Sequence, residues 1–424
     1  MVNLYEHQRE ALYATKNLRK VAYYHDMGLG KTFVGAEKLK QLDAYISLII
    51  CQKSKIDDWI KHLKKYYNFK IVNLTVKHEH NQFFKELVYP KEFTQKRVVL
   101  IINYELVAKR SSIQQLTNFT LLLDESSMIQ NENTLRAKFI LKLKPSNVIL
   151  LSGTPVSGRY EKLWTQIKLL DWNISKSEFW SKYVNYHIES SYGTPFKMVD
   201  SYKNVTDLKL NLRKHGAHFL KTVDVLTLPA CVFQDIYVSP PRYYDKFKRE
   251  RRLKLQNTEL IGDTPLTKLQ NERMLCGAYN GEKLRTLEDL LMSTEDRVII
   301  FYNFNAEYDK IKQLCEKLNK AISMVNGKEK DLTAYNHYTN SVTLIQYAAG
   351  SKGLNLQLAN KLIYYSPPLS CENWMQSQKR ISRIGQKRNC FYYKLICKNS
   401  IESRIYYTLK RGVDYTVFLF ENEH

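Results

Sequence analysis

Short apolar runs alternate with longer polar stretches along most of the chain. In the first part of the chain they occupy residues 47–51, 98–102, 120–124 and 148–152. In the last part they occupy residues 297–301, 342–346, 361–365 and 391–396, and a helix is predicted over 306–319. An apolar strand followed by polar, helix-forming sequence predicts a parallel α/β sheet. The pattern therefore predicts two α/β units.

The stretch from residue 159 to residue 282 has a different pattern. It has few apolar runs and many Lys, Arg and Tyr residues, and pieces such as 176–184 and 242–256 are helix-like. We interpret this stretch as mostly helical insertions around a linker. The predicted organisation is a first α/β unit over 1–158, insertions and linker over 159–282, and a second α/β unit over 283–424.

Charge adds a class of partner to this picture. The 424 residues include 65 Lys and Arg against 42 Asp and Glu, a formal net charge of +23, which attracts polyanions. Hydrophobic residues make up 44% and charged residues 25%, which argues against disorder, collagen and coiled coil. The 30 tyrosines suit nucleic acid, because their rings stack on bases as well as fill cores.

The chain shows no sign of a membrane or of secretion. Apolar runs such as 98–102 are far shorter than the about 20 residues that span a bilayer, and the first ten residues do not resemble a signal peptide. The seven cysteines include no CxxC pair, so we expect reduced thiols packed as small apolar residues. The protein is expected to stay in the compartment where it is made, the cytoplasm.

The segment DMGLGKT, placed between a predicted strand and a predicted helix, is typical of a phosphate loop. Gly28 and Gly30 allow positive φ and close backbone approach, so that N–H groups surround phosphate oxygens. Lys31 would neutralise the β and γ phosphates, and Thr32 would coordinate Mg²⁺. His25 stands where the usual pattern has its first glycine, which weakens the match.

Acidic and hydroxyl residues follow the next predicted strands. Asp124 would hold Mg²⁺, and Glu125 would orient and deprotonate the attacking water. Ser152 and Thr154, in LLSGTP, would hydrogen-bond the acidic loop and report whether the γ-phosphate is present. Taken alone, the acidic pair is equally typical of a solvated turn. Taken alone, SGTP is also consistent with a simple turn.

The segment QSQKRISRIGQKR brings two arginines together in the second α/β unit. Arg380 and Arg383 are three residues apart and are predicted to share one helical face. Guanidinium groups near the γ-phosphate would stabilise the charge that develops during transfer, so hydrolysis would depend on closure of the two units. Without the phosphate loop, a solvated basic helix would be the default interpretation.

These motifs together resemble the Swi/Snf-type ATPases of helicase superfamily two. The resemblance covers nearly the whole chain, and the motifs appear in the order that the family shows. They are LYEHQRE, DMGLGKT, LIICQKSKIDDW, INYE, DESSMIQN, LSGTPVSGRYEKLW, GEKLRTLEDLL, RVIIFYNF, AGSKGLNL, QSQKRISRIGQ and KNSIESRI. The resemblance implies two RecA-like parallel-sheet lobes with helical insertions between them, and ATP and Mg²⁺ as substrate and cofactor.

The resemblance also assigns residues to ligands. The nucleotide contacts that it implies, with Gln8 at the adenine, are Gln8, Met27, Gly28, Leu29, Gly30, Lys31, Thr32, Gly353 and Gln376. The backbone contacts to DNA that it implies are Lys53, Ser54, Asn103, Tyr104, Asn303, Ser351 and Lys352. Separately, residues 242–254 carry seven basic and two acidic side chains, and Arg249, Arg251 and Arg252 are candidates to brace duplex DNA. A solvated helical face explains that stretch equally well.

Two positions depart from the family. Ser127 replaces the histidine of the usual DEAH, and Ser382 replaces the histidine of the usual RxHRIGQ. Because both motifs meet between the lobes in the family, coupling of nucleotide to DNA is expected to differ here. The hydrolytic residues Asp124, Glu125, Arg380 and Arg383 are retained.

The function predicted is an ATP-dependent DNA translocase or helicase, a monomer that acts on duplex, forked or four-way DNA in replication, recombination or repair. Branch migration and fork remodelling are the expected outcomes. The expected protein partners are replication or recombination proteins. The compact chain resembles bacterial or bacteriophage motors, which would place it in the cytoplasm of a bacterial cell or a phage-infected host. The alternatives are a single-strand-tracking or RNA helicase, and a motor subunit or nucleotide-switched clamp of a larger DNA-processing complex.

Overall fold

The fold comes from a computed structural model that describes residues 2–88, 97–153, 155–156, 159–191, 194–255, 258–347 and 354–411. The chain forms two compact units, Met1–Leu226 and Thr227–His424. The boundary between them lies inside the stretch predicted to hold insertions and a linker. No helix among the described residues is both long enough and apolar enough to cross a membrane.

The first unit is built on one parallel sheet. Its strands are β1 (Lys20–His25), β2 (Ile46–Cys51), β3 (Lys70–Asn73), β4 (Val98–Asn103), β5 (Thr120–Asp124), β6 (Asn147–Ser152), β7 (Val184–Ser191), β8 (Thr194–Tyr202) and β9 (Ala217–Leu220). Seven of them form the sheet, in the order β3-β4-β2-β5-β6-β1-β9, and every pair is parallel. Strands β7 and β8 form a separate antiparallel hairpin.

Helices cover both faces of this sheet. They are α1 (Glu6–Ala14), α2 (Lys31–Leu42), α3 (Ile56–Tyr66), α4 (Lys77–Val88), α5 (Tyr104–Val107), α6 (Leu135–Lys142), α7 (Trp164–Leu169), α8 (Lys176–Tyr183), α9 (Val205–Lys214) and α10 (Thr222–Val225). Alternate strand residues face opposite ways: Leu48 packs in the core with α6 and α7, whereas Ile49 packs in the core with α1, α2 and α3. Burial on both faces explains why β2, β4 and β6 consist mainly of apolar residues.

The second unit repeats the architecture. Its strands are β10 (Cys231–Val238), β11 (Arg252–Leu255), β12 (Thr258–Ile261), β13 (Val298–Tyr302), β14 (Ala321–Val325), β15 (Lys330–Asp331), β16 (Ser341–Gln346), β17 (Lys361–Tyr364) and β18 (Cys390–Cys397). Its helices are α11 (Tyr244–Glu250), α12 (Pro265–Cys276), α13 (Gly281–Met292), α14 (Asn305–Lys317), α15 (Thr333–His337), α16 (Cys371–Gln378) and α17 (Ile401–Lys410). The sheet order is β10-β18-β17-β13-β16-β14-β15. Among the described strand pairs of this sheet, only β14–β15 is antiparallel.

A buried ion pair joins two helices of the second unit. Lys283 in α13 donates to both carboxylate oxygens of Glu402 in α17, at 2.6 and 2.7 Å, and neither side chain is exposed. The Glu402 carboxylate also accepts from the backbone N–H of Cys397 at 3.0 Å. Because a buried charge is tolerated only with a partner, the pair explains a Lys in GEKL and a Glu in SIES at these positions.

The fold class predicted from the sequence is confirmed, and all eight predicted strands are present. Residues 159–282, predicted to be mostly helical, contain helices and also two hairpins, β7–β8 and β11–β12, that the sequence analysis did not predict. The helix predicted over 242–256 was wrong in its second half, because α11 ends at Glu250 and Arg251 adopts a left-handed φ of 56°. Leu253 and Leu260 then form a buried cross-strand pair, which favours a hairpin there.

Candidate nucleotide site and arginine loop

The strand order of the first unit brings three loops to one edge of the sheet. Strands β5, β6 and β1 are neighbours and run parallel, so their carboxyl ends share an edge. Residues 26–30 follow β1, residues 125–129 follow β5, and Gly153 follows β6. The phosphate loop, the acidic loop and the LSG segment are therefore close together, although they are far apart in sequence.

Two glycines give the phosphate loop its shape. Gly28 has a φ of 92° and Gly30 a φ of 72°, in the left-handed region that favours glycine. A Cβ on Gly30 would also lie 2.3 Å from Nε2 of Gln8. Helix α2 begins at the next residue, so the loop ends at a helix N-terminus, where N–H groups bind anions.

Lys31 folds back over this loop. Its Nζ donates to the backbone carbonyl of His25 at 2.9 Å and to that of Asp26 at 3.3 Å. A Cβ on Gly153 would lie 3.2 Å from the same Nζ and 2.9 Å from Cγ of Met27. The lysine ammonium therefore lies where the loop after β1 meets the segment after β6, and a side chain at position 153 would crowd it.

Gln8 supports the loop from α1. The Gln8 side chain is 2% exposed; its Nε2 donates to the Leu29 carbonyl at 3.1 Å, and its Oε1 accepts from the Tyr5 N–H at 3.0 Å. The His7 imidazole lies 3.2 Å from the same carbonyl. Both ends of the Gln8 amide thus bind within the chain, which makes it a positioning residue for the loop. The adenine contact expected of Gln8 stays a prediction.

His25 anchors the start of the loop through its ring. The side chain is fully buried, and its Nε2 lies 2.9 Å from Nδ1 of His218 in β9. Burial, with smaller contributions from His218 and Lys31, lowers the pKa of His25 to about 2, so the ring stays neutral. Next to it, the Asp26 carboxylate accepts from the Thr222 N–H at 2.9 Å. The residue that replaces the usual glycine therefore ties the loop to β9.

Asp124 and Glu125 have different surroundings. Asp124 ends β5, and its Oδ2 accepts from the indole N–H of Trp59 at 2.8 Å. Burial raises the pKa of Asp124, although the Trp59 hydrogen bond opposes the shift. Glu125 has a left-handed φ of 61°, and its Oε1 accepts from the hydroxyls of Ser152 at 3.1 Å and Ser127 at 3.4 Å. The two neighbouring carboxylates are thus held by separate partners.

The Ser152 contact with the acidic loop is the one expected from the sequence, whereas Thr154 lies outside the described residues. Ser127, which stands in place of the family histidine, is 3% exposed and reaches Glu125. A hydroxyl there holds the carboxylate from inside the unit. Ser127 and Ser152 together fix one oxygen of Glu125.

Gln166 is a positioning residue that the sequence analysis missed. It is fully buried in α7, and its Oε1 accepts from the hydroxyls of Ser126 at 2.7 Å and Tyr24 at 3.1 Å. Its Nε2 donates to the Pro155 carbonyl at 2.9 Å. This one amide therefore links β1, the acidic loop and the segment after β6. The available signal was an amide side chain inside an otherwise apolar stretch of helix.

Two of the residues predicted to contact DNA have buried side chains. Tyr104 is 1% exposed, and its hydroxyl donates to the backbone carbonyls of Asp124 at 3.0 Å and Glu125 at 3.3 Å. Asn103 is 3% exposed, and its Nδ2 donates to Glu105 at 2.5 Å. The Tyr104 side chain thus supports the acidic loop, and the Asn103 amide bonds its neighbour Glu105, so the predicted DNA contacts of both residues stay predictions.

Lys53 and Ser54 lie elsewhere. They are exposed in a 3₁₀ turn after β2 and are available to a ligand. Their predicted contact with the DNA backbone stays a prediction.

Arg380 and Arg383 do not share a helix, so that expectation was wrong. Helix α16 ends at Gln378, and both arginines lie in the turns beyond it, which we term the arginine loop (residues 379–389). They are nevertheless close together, because Nη1 of each donates to the Leu354 carbonyl at 3.1 Å. Arg380 is 7% exposed. A shared backbone acceptor, not helical spacing, brings the two guanidinium groups together.

Gln386 fixes the arginine loop. Its Nε2 donates to three backbone carbonyls and its Oε1 accepts from two backbone N–H groups, while Gly385 has a φ of 95°. The carbonyls belong to Gln357, Ala359 and Ile381, at 3.2, 2.8 and 3.2 Å, and the N–H groups to Lys387 and Arg388, at 3.0 and 2.9 Å. The glycine and glutamine of RIGQ thus have a structural role: they hold the loop that carries both arginines.

The other predicted residues of the second unit are dispersed. Gln376 is 2% exposed and donates to Glu372 at 2.7 Å. The Asn303 amide donates to the Ser366 hydroxyl at 2.8 Å and the Pro367 carbonyl at 2.9 Å. Arg249, Arg251 and Arg252 are exposed. Ser351, Lys352 and Gly353 lie outside the described residues.

The donor atoms at the sheet edge fit a magnesium ion. Asp124 offers a carboxylate at the end of β5, and Thr32 offers a hydroxyl in the first turn of α2. Hard oxygen donors of this kind are the ligands that Mg²⁺ prefers.

Comparison with known proteins agrees with this geometry. Residues 14–278 match the SNF2-related domain, and residues 282–385 match the helicase conserved C-terminal domain. The chain belongs to the SNF2-related family. Because the first match alone covers more than half of the chain, the membership does not depend on any single motif.

Several relatives of this SNF2-related chain are similar over most of its length. The ISWI chromatin-remodeling complex ATPase ISW1 of Saccharomyces cerevisiae is 23% identical, over 90% of this chain and 37% of that protein. An uncharacterized ATP-dependent helicase of Mycoplasma pneumoniae is 24% identical, over 90% and 38%. The DNA repair protein rhp54 of Schizosaccharomyces pombe is 24% identical, over 85% and 49%. The chain thus spans less than half of these relatives.

Among solved structures, the Sulfolobus solfataricus SWI2/SNF2 ATPase core in complex with dsDNA is 20% identical to this chain. The alignment covers 99% of this chain and 93% of that one, with a TM-score of 0.46.

Replacing Gln166 tests whether its amide holds the loops together. Gln166→Leu leaves the buried hydroxyls of Ser126 and Tyr24 without their acceptor, so we expect the free energy of unfolding to fall by about 1–3 kcal/mol in urea denaturation. Gln166→Glu keeps an acceptor but loses the donor to Pro155. Its free energy of unfolding should therefore differ from that of Gln166→Leu. The exposed Gln114→Leu is the matched control. Equal stability of Gln166→Leu and the control would contradict the assignment.

Proposed function

We propose that this chain hydrolyses ATP and uses the energy to move along duplex or branched DNA. The observation that carries the proposal is the geometry of Glu125, held in a left-handed conformation beside Ser152 at the sheet edge where Lys31 covers the phosphate loop. Family membership supports the same reaction class. The relatives named for chromatin remodelling and DNA repair support DNA as the track.

In the proposed reaction each residue of the first unit has one task. The backbone N–H groups from Gly28 to Lys31 bind the phosphates, and the Lys31 ammonium balances their charge. Glu125 orients the attacking water and accepts its proton, while Ser152 and Ser127 hold the carboxylate in place. Asp124 and Thr32 would hold Mg²⁺, which neutralises phosphate charge when bound. The contribution of Arg380 and Arg383 to charge stabilisation stays a prediction.

Two substitutions separate binding from turnover. Lys31→Ala should abolish hydrolysis because the phosphates lose their counter-charge, whereas Glu125→Gln should retain ATP binding and lose turnover because the base is missing. ATPase rate and nucleotide affinity are measured on the same preparations. Lys317→Ala, an exposed residue at the end of α14, is the control. Hydrolysis near the wild-type rate in either variant would show that the site lies elsewhere.

A basic surface in the second unit is the strongest candidate for DNA contact. Phe247 and Leu253 are buried, while the basic side chains around them on α11 and β11 are exposed. These exposed residues are Lys246, Lys248, Arg249, Arg251, Arg252 and Lys254. Arg252 donates to Glu259 at 2.8 Å across the hairpin, so part of its charge is neutralised. Such contacts position a protein on DNA without reading its sequence.

Salt dependence tests that surface. Binding to duplex DNA should weaken with salt, with log K falling by about 0.9 per phosphate contact per log unit of salt. The double variant Arg249→Ala, Arg251→Ala should make the salt dependence of log K less steep, in proportion to the number of phosphate contacts that it removes. Arg252→Ala should change the slope less, because Glu259 already pairs with it. If the slope is the same in the wild type and the double variant, this surface is a solvated face that does not contact DNA.

The branched substrate is proposed on energetic grounds. Each base-pair step opened in plain duplex costs about 1.4 kcal/mol in lost stacking. At a mobile fork or four-way junction every pair broken is matched by a pair formed, so translocation moves the branch at nearly zero net cost. On these grounds the motor is expected to act best on DNA that is already branched.

A DNA panel tests this part of the proposal. We expect ATP-dependent branch migration or fork regression on mobile junctions, and little unwinding of long blunt duplex. ATPase rates with single-stranded, duplex, forked and four-way DNA, and with RNA, are compared in one assay, with Glu125→Gln as the inactive control. Stronger stimulation by single strands or RNA would favour the alternative helicase class. Processive unwinding of long duplex, together with no activity on mobile junctions, would overturn the proposal.

A further inference from the structure

One cysteine differs from the other six. Cys231 is exposed, whereas Cys51, Cys276, Cys315, Cys371, Cys390 and Cys397 are all buried. The expectation of buried, inert thiols therefore holds for six residues and not for Cys231. Cys231 is the first residue of β10 and the fifth residue of the second unit.

Cys231 faces a second cysteine across the sheet. Strand β10 pairs with β18 in parallel register, with Cys231 directly opposite Cys390, and the Cys390 N–H donates to the Ala230 carbonyl at 2.8 Å. Neighbouring strands lie about 4.8 Å apart, and directly opposed side chains share one face of the sheet. A disulfide accepts Cα separations of about 4.4–6.8 Å, so this pair can be bridged with little movement of the backbone.

The surroundings of Cys231 favour reaction at this residue. The hydrogen bond with the Cys390 thiol, together with a weaker one from Ser382 and against the effect of desolvation, lowers the pKa of Cys231 to about 5. The lowered pKa favours the thiolate of Cys231, which is the reactive form of cysteine. Its buried partner is the resolving thiol.

The pair also contacts the arginine loop. The Cys231 sulfur lies 3.3 Å from the hydroxyl of Ser382, which is 4% exposed and sits between Arg380 and Arg383. Ser382 is the residue that stands in place of the family histidine. A change at the Cys231 sulfur therefore acts on the loop that carries both arginines.

We propose that Cys231 and Cys390 form a reversible disulfide under peroxide and that this bond changes the hydrogen bond between Cys231 and the arginine loop. The Cys231 thiolate attacks a peroxide oxygen; the S–O bond forms, the O–O bond breaks, and the product is a sulfenic acid. The Cys390 thiol then attacks that sulfur; the S–S bond forms, the S–O bond breaks, and water leaves. Two thiols lose two electrons, and one hydrogen peroxide becomes two waters.

The disulfide removes the hydrogen bond between the Cys231 sulfur and the Ser382 hydroxyl. The buried Ser382 hydroxyl then loses its partner, and the turns around Arg380 and Arg383 must rearrange to satisfy it. Turnover is therefore expected to fall severalfold on oxidation and to recover on reduction. This effect on turnover rests on the proposed ATPase function, whereas formation of the disulfide does not.

Intact-mass and peptide analysis tests the bond itself. The wild-type chain, treated with a small excess of hydrogen peroxide, should lose two hydrogens and give a peptide in which 231 and 390 are linked; dithiothreitol should reverse both changes. Cys390→Ser should instead accumulate a sulfenic acid at Cys231 that dimedone traps. Cys231→Ser, a change at an exposed site, should give neither product. Oxidation of the wild type that adds oxygen without linking the two residues would overturn the proposal.

The ATPase rate tests the regulatory effect. Peroxide should lower the turnover of the wild type and leave the turnover of Cys231→Ser unchanged. A disulfide that forms without any change in turnover would overturn the regulatory part. A reduced chain that has no ATPase activity would contradict the proposed function instead, while the mass measurement still decides whether the pair forms.

Discussion

The candidate site depends on the placement of β6 between β5 and β1. This order brings together loops that begin about 100 residues apart, at Asp26 and Glu125, and adds the segment at Gly153 between them. Parallel strands make the arrangement possible, because the carboxyl ends of all three meet at one edge. Lys31 and Glu125 acquire their positions from this edge, and neither segment alone would create the site.

Buried polar side chains then fix the loops that the sheet brings together. Gln8 holds the Leu29 carbonyl, the His25 ring contacts His218, and Gln166 links the acidic loop to its neighbours. Each of these groups is buried, so a loop movement that broke its bond would leave a polar atom unsatisfied at a cost of about 1–3 kcal/mol. The loops are therefore held in one arrangement before any ligand binds, which is the condition for preorganised charge stabilisation.

Features set by local pattern were predictable from the sequence, and features set by distant partners were not. Continuous apolar runs predicted the strands, and the two glycines predicted the positive φ of the phosphate loop. The helical face for Arg380 and Arg383 was wrong because their turns are held by Leu354, about 26 residues earlier in the chain. Tyr104 was assigned to DNA because a motif position does not reveal burial. Gln166 was missed because its three partners come from separate parts of the chain: β1, the acidic loop and the segment after β6.

The arginine loop holds two like charges close together. Arg380 and Arg383 donate to the same carbonyl, so two cationic groups are held near each other, and burial lowers the pKa of Arg383. Like charges in a partly desolvated site repel, by about 4 kcal/mol per pair at 4 Å and an effective dielectric of 20. An anion that contacted both guanidinium groups would lower this repulsion, which is the physical basis of the charge stabilisation predicted for Arg380 and Arg383.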